Sequence, residues 1–192
     1  MKKYLIMAAM MLCVFSVYAE DGCKWTLKAG LGASNIGGKD AETDFKFSYK
    51  VGLTYDASIS PSFSIIPGVE FINKGYSQSS IDGALNAFYF QVPILAAYKI
   101  SLSDNAVLAI KAGPNIACGI VGSDIIWYDS NETTNYFDDI KRFDVGITVG
   151  AHVDVKRFQI GLEYNRGFIK VFDGYDFKCF NQSFGATLGY RF

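Results

Sequence analysis

Lys28, Lys50, Asp56, Glu70, Lys111, Asp154, Glu163 and Arg191 are the residues whose types and spacing could do chemistry. Each sits at a polar position in a stretch that alternates polar and apolar residues, as do Lys74, Lys99 and Asp144. On an extended strand that period places all of them on one face. Acids and bases sharing a face have two uses. They can pair as salt bridges, which buried ions of both signs require, or they can line a polar conduit, with Glu70, Lys111 and Glu163 as its steps. His152, the only histidine, shares the parity of Asp144 and Asp154. An Asp-His pair can activate water, but a lone histidine among paired charges reads as a hydrogen-bonded filler. No residue is assigned as catalytic, cofactor-binding or metal-ligating. Beyond the first nineteen residues the cysteines are Cys23, Cys118 and Cys179, an odd set without metal-site spacing. A Cys118–Cys179 bridge would tie two loops together, but only by crossing the space between distant strands.

The elements that position these charges are strands. "FSYKVGLTYDASI", from Phe47 to Ile59, alternates without a break. The same pattern recurs in residues 25–34, 63–73, 87–100, 106–118, 143–155, 158–168 and 180–192. These are eight strands, with no helix. Their connections alternate in length: tight turns at Ser60 to Ser62, Ser103 to Asn105 and Lys156 to Arg157, and long loops over residues 35–46, 75–86, 119–142 and 169–179. Short and long connections therefore lie at opposite ends of an up-and-down meander.

The first nineteen residues, "MKKYLIMAAMMLCVFSVYA", carry Lys2 and Lys3, an apolar run and a small residue at Ala19. Together they describe a secretory signal peptide over 1–19, leaving residues 20–192 as one domain. The apolar run is shorter than the roughly 20 residues of a spanning helix. The net charge of -1 and the lack of a basic patch argue against a nucleic-acid partner.

Alternation alone does not say which face meets water. Glycines do: Gly30, Gly32, Gly52, Gly113, Gly146, Gly150, Gly161 and Gly185 share the polar face, which suits the crowded inside of a narrow barrel. Aromatics on the apolar face gather at strand ends. Trp25, Tyr55, Phe63, Tyr98, Phe158, Tyr190 and Phe192 lie toward the short turns, and Phe47, Tyr49, Phe71, Phe88, Phe90, Phe143, Phe168 and Phe180 toward the long loops. Two aromatic rings around an aliphatic band are membrane girdles. The expected fold is therefore an all-β, eight-stranded antiparallel up-and-down transmembrane β-barrel, closed because a bilayer tolerates no unpaired edge. Trp25 and Phe192 should meet at the rim. The nearly balanced inward charges then read as a plug, since eight strands leave room for little more than side chains.

"LKAGLGASN", "PGVEFINKGY", "FQVPILAAYKI", "IKAGPNIA", "FQIGLEYNRGF" and "FGATLGYRF" together resemble the small outer-membrane β-barrel family known as porin-family or PorT-like proteins. The resemblance covers nearly the whole chain after residue 19 and implies a bacterial outer membrane as its place. Its motifs are strand patterns, so they speak to fold and location and not to activity. The ending Leu188, Tyr190, Phe192 resembles the signal read by the barrel-assembly machinery. Loop 119–142 is the candidate interaction surface, with Trp127, Tyr128, Asp129, Tyr136 and Phe137 as anchors for a surface protein or glycan. The functional expectation is a non-enzymatic structural or surface-interaction role. A narrow diffusion channel and a component of a secretion or assembly apparatus are the alternatives.

Overall fold

The computed structural model describes residues 23–38, 43–77, 84–122, 124–126, 133–135, 137, 141–170 and 179–192. Ten strands are present in them: β1 Cys23–Gly38, β2 Lys46–Ser60, β3 Phe63–Ser77, β4 Ala84–Ser103, β5 Ala106–Gly122, β6 Asp124–Ile126, β7 Thr133–Asn135, β8 Phe143–Val155, β9 Phe158–Gly167 and β10 Cys179–Arg191. Eight of these close a barrel in the order β1-β10-β9-β8-β5-β4-β3-β2, every pair antiparallel. The remaining two, β6 and β7, pair as a small hairpin within loop 119–142. Closure is by β1 and β10, in register from Thr26 opposite Arg191 to Gly38 opposite Cys179. At the rim the Trp25 N–H donates to Phe192 O at 3.2 Å and the Phe192 N–H to Trp25 O at 2.9 Å.

The eight expected strands are the eight that form the barrel, but several run longer than the alternation suggested. β4 has 20 residues and β5 has 17, whereas about 9–11 tilted residues cross a bilayer. The surplus carries the wall beyond the membrane. Among the described residues no helix is long and apolar enough to cross one.

Burial inverts the rule of a soluble protein. Lys28, Glu70 and Glu163 are each 1% exposed, while Leu31 is 62% and Leu188 58% exposed. Charged groups fill the bore and aliphatic side chains cover the outside, an arrangement that is stable only with lipid around it. The narrow bore also explains the glycines. A Cβ on Gly150 would stand 2.5 Å from Leu162 O and 3.0 Å from Glu163 Cγ, and one on Gly52 2.8 Å from Glu70 Cγ. These positions let charged side chains from the next strand lie flat along the wall.

The girdles are visible as exposed rings: Trp25, Phe63, Tyr98, Phe158, Tyr190 and Phe192 at the short-turn rim, Phe47, Tyr49, Phe71, Phe88, Phe143 and Phe168 at the other. Tyr55 departs from the expectation. It is only 8% exposed, its ring centroid 4.8 Å from that of Trp25, because strand pairing sets Trp25 directly opposite it.

Backbone pairing is interrupted in two kinds of place. The β3–β4 ladder skips pairs beside Pro67 and Pro93, and the β4–β5 ladder between Pro93 and Pro114, as prolines lacking an N–H require. The β2–β3 ladder also stops above the Lys50 and Ile72 pair, with no proline to cause it.

Candidate functional site

The barrel bore is filled in layers. The floor, near the short turns, is ionic. Asp56 of β2 accepts from Lys99 of β4 at 2.7 Å and from Arg191 of β10 at 3.3 Å, and Arg191 also pairs with Asp154 of β8 at 2.7 Å. Gln159 of β9 donates to Asp154 at 3.0 Å. His152 lies one inward step above, its Nε2 3.7 Å from Asp154 Oδ2.

The middle layer is a knot of three lysines and two glutamates. Lys28 of β1 pairs with Glu70 of β3 at 2.6 Å and with Glu163 of β9 at 2.8 Å; Lys111 of β5 reaches Glu163 at 2.6 Å. Lys50 of β2 pairs with Glu163 and, at 3.7 Å, with Glu70. Since β1 and β5 stand four steps apart in the ring of eight, Glu163 joins opposite walls through Lys28 and Lys111. Parity along five strands points every one of these side chains at the axis, and length lets them meet there.

Above the knot is a neutral polar belt. Gln91 donates to Asn165 Oδ1 at 3.2 Å, Asn115 to Thr148 Oγ1 at 2.9 Å, Thr148 to Asn165 Oδ1 at 2.7 Å and Asn165 to Ser183 Oγ at 3.3 Å. The belt's residues share the inward parity, but uncharged polar side chains are equally common on water-facing strands, so the sequence alone does not single them out. At the loop end an apolar cluster of Ile36, Ile72, Tyr76, Ala87, Tyr89, Ala117, Phe137 and Cys179 closes the bore.

The residues singled out from the sequence divide accordingly. Lys28, Lys50, Glu70, Lys111 and Glu163 come together in the knot, and Asp56, Asp154 and Arg191 in the floor. Asp144 is separate, at the other end of β8 from His152 and Asp154, where Asn181 donates to it at 3.4 Å. His152 is not the hydrogen-bonded filler expected: because Asp154 is drawn to Arg191 and Gln159 instead, neither ring nitrogen has a hydrogen-bond partner among the described residues. Those residues also contain no group of His, Cys, Asp and Glu placed to hold a metal ion. Leu188, Tyr190 and Phe192 face outward and are exposed.

Two further expectations are corrected. Phe137, read as an exposed binding anchor, is 7% exposed. Its ring lies edge-on to Tyr89 at 5.7 Å, under the Arg142 guanidinium at 5.0 Å. The bore's loop end offers apolar surface that an aromatic ring covers better than water does, and nothing local in the sequence marks that destination. Trp127, Tyr128, Asp129 and Tyr136 lie outside the described residues. The contemplated Cys118–Cys179 bridge is absent: neither cysteine is in a disulfide, Cys118 being exposed and Cys179 buried. Strand parity sends Cys118 out of the wall and Cys179 into the bore.

Residues 19–173 match the family described as outer membrane protein beta-barrel domain. No curated protein matches the chain. Among solved structures, Neisserial surface protein A aligns with 90% of this chain and 100% of its own, at 10% identity and a TM-score of 0.56. The outer membrane enzyme PagL aligns with 86% of this chain and 98% of its own, at 11% identity and a TM-score of 0.54. Ail, the attachment invasion locus protein of Yersinia pestis, covers 89% of this chain and 99% of its own at 13% identity and a TM-score of 0.48. With a closed antiparallel barrel, an apolar exterior and a family match over most of its length, the chain belongs to the outer membrane protein beta-barrel domain family and is an integral outer-membrane protein.

Proposed function

We propose that this protein is a sealed, non-enzymatic barrel whose bore serves stability and whose loop end carries its interactions. The observation that carries the reading is the knot of Lys28, Lys50, Lys111, Glu70 and Glu163, which ties opposite walls together across the axis. Glu70, Lys111 and Glu163, the steps of a conceivable conduit, are all bound into it, so each is held by a partner and none is left to relay an ion. The non-enzymatic reading is supported by His152, which is 2% exposed and has no hydroxyl or thiol hydrogen-bonded to it among the described residues. The fold by itself leaves the matter open, since PagL is an enzyme.

In this reading residues 1–19 are a signal peptide and residues 20–192 the barrel domain. Leu188, Tyr190 and Phe192 are what the barrel-assembly machinery reads, and loop 119–142 meets a surface protein or glycan. The hairpin of β6 and β7 within that loop supports its role as a presented surface.

The test is single-channel conductance of the refolded protein in a planar bilayer, beside Lys111→Ala. Folded barrels without discrete openings in either protein are the expected result. Openings whose size changes with Lys111→Ala would overturn the plug and establish a narrow diffusion channel.

A further inference from the structure

The wall between β2 and β3 has a window at its loop end. Below it the ladder ends at Lys50 opposite Ile72. It resumes only where Asp44 and Ser77 exchange backbone hydrogen bonds of 2.8 and 3.1 Å. Between these points side chains of β1 and β2 supply donors to the β3 carbonyls. Ser48 Oγ donates to Asn73 O at 2.5 Å, Lys46 Nζ lies 3.5 Å from Lys74 O, and Ser34 Oγ donates to Gly75 O at 3.1 Å. Gly75 has φ 139°, a backbone that side-chain-bearing residues rarely adopt.

Lys46 threads this window. It precedes the outward Phe47 and stands opposite the interior Ser34, so its side chain starts on the inside. Its ammonium ends between Asn73 Oδ1 and Asn86 Oδ1, each at 2.5 Å. Asn73 belongs to the outer face: it follows the inward Ile72 and is in register with the exposed Phe88. The rings of Tyr49 and Phe88 close over that position from β2 and β4, 6.1 Å apart.

The donors here outnumber the acceptors. An ammonium only donates, so it fixes the Asn73 amide with Oδ1 toward Lys46. Nδ2 is then left as a second donor beside the cation. Asn73 is 2% exposed and its Nδ2 has no hydrogen-bond partner among the described residues. Among the described residues no carboxylate pairs with Lys46. A fixed positive charge next to an unused amide donor is the chemistry that recognises an oxyanion. The window also lies in the aromatic girdle, with Phe47, Tyr49, Phe71 and Phe88 exposed around it, the level at which lipid headgroups sit.

We propose that this window binds the phosphate monoester of a membrane lipid, with Asn73 Nδ2 as its donor, the Lys46 ammonium as its counter-charge and the acyl chains against the surrounding aromatic rings. A lipid is favoured over a free anion because the site lies in the lipid-facing wall beneath apolar rings, which part to admit a headgroup.

Native mass spectrometry of the refolded full chain in neutral detergent tests the assignment, with phosphatidic acid, phosphatidylcholine or inorganic phosphate added separately. The expected result is one phosphatidic acid per chain, held about tenfold more weakly after Lys46→Gln or Asn73→Asp, a change of ~1.4 kcal/mol. Asn73→Asp keeps the side chain's size and gives Lys46 an internal counter-ion, so it decides the matter if Lys46→Gln fails to fold. Heat-modifiable migration on a gel reports folding. Equal retention of phosphatidic acid by wild type and folded variants, or equal retention of phosphatidylcholine, overturns the proposal. Retention of inorganic phosphate in place of the lipid overturns the choice of a lipid.

Discussion

Glu163 has more to hold than any other residue of the bore. Lys28, Lys50 and Lys111 all reach it, and only Glu70 shares the burden. Removing one carboxylate leaves three ammonium groups on the other, and an unpaired buried charge typically costs ~3–5 kcal/mol. Glu163→Gln should therefore lower the unfolding free energy of the lipid-refolded barrel, measured by urea titration, by an amount in that range. Lys111→Met should cost less than ~1 kcal/mol, since two lysines then face two glutamates and the thioether fills part of the volume. Similar losses from both substitutions would mean that the pairs act singly and not as a balanced knot. Phe137 makes the comparison at the loop end. Phe137→Ala opens a cavity against Tyr89 and Gly119 and should cost up to ~3–5 kcal/mol. Conductance should stay absent, because the knot lies below.

The strands depend on pairing and close approach more than on propensity. Gly150 of β8 faces Glu163 across the β8–β9 ladder. Gly150→Val should push Glu163 from the knot and destabilise the barrel by ~1–3 kcal/mol, the usual cost of overpacking. Urea unfolding of that variant, alone and with Glu163→Gln, checks it: the two losses should fall short of additive because they act on one contact. For β10, the backbone bonds between Trp25 and Phe192 do not involve the Phe192 ring. Phe192→Ala should thus leave the refolded barrel heat-modifiable in detergent while reducing the amount that reaches the outer membrane in cells. Equal membrane levels would show that the terminal aromatic is only a rim residue.

At the scale of the molecule, the exterior is a stack of aliphatic band and aromatic rims, and its depth in the bilayer follows from that pattern. Trp25, half-exposed at the short-turn rim, should lie at the headgroup level. In a Trp127→Phe variant, the remaining fluorescence should be quenched more by bromines near the headgroup end of the acyl chain than by bromines near its terminus. The reverse order would place the barrel at another depth.

Period-two alternation in the sequence determined the eight strands, their inward and outward faces, and the membership of Lys28, Lys50, Glu70, Lys111 and Glu163 in one interior, because parity is a local property of an extended chain. The turn and loop lengths determined that short and long connections gather at opposite ends of the meander, and the glycines on the polar face determined that this face is the crowded one. Which lysine meets which glutamate was decided only by the tertiary structure. Stagger between strands sets the heights at which side chains cross the bore, and no single strand carries that information. The same holds for Phe137, whose place depends on an apolar recess built from β1, β3, β4, β5 and β10. It holds again for Lys46, which alternation sends inward and which a gap between β2 and β3 lets out through the wall.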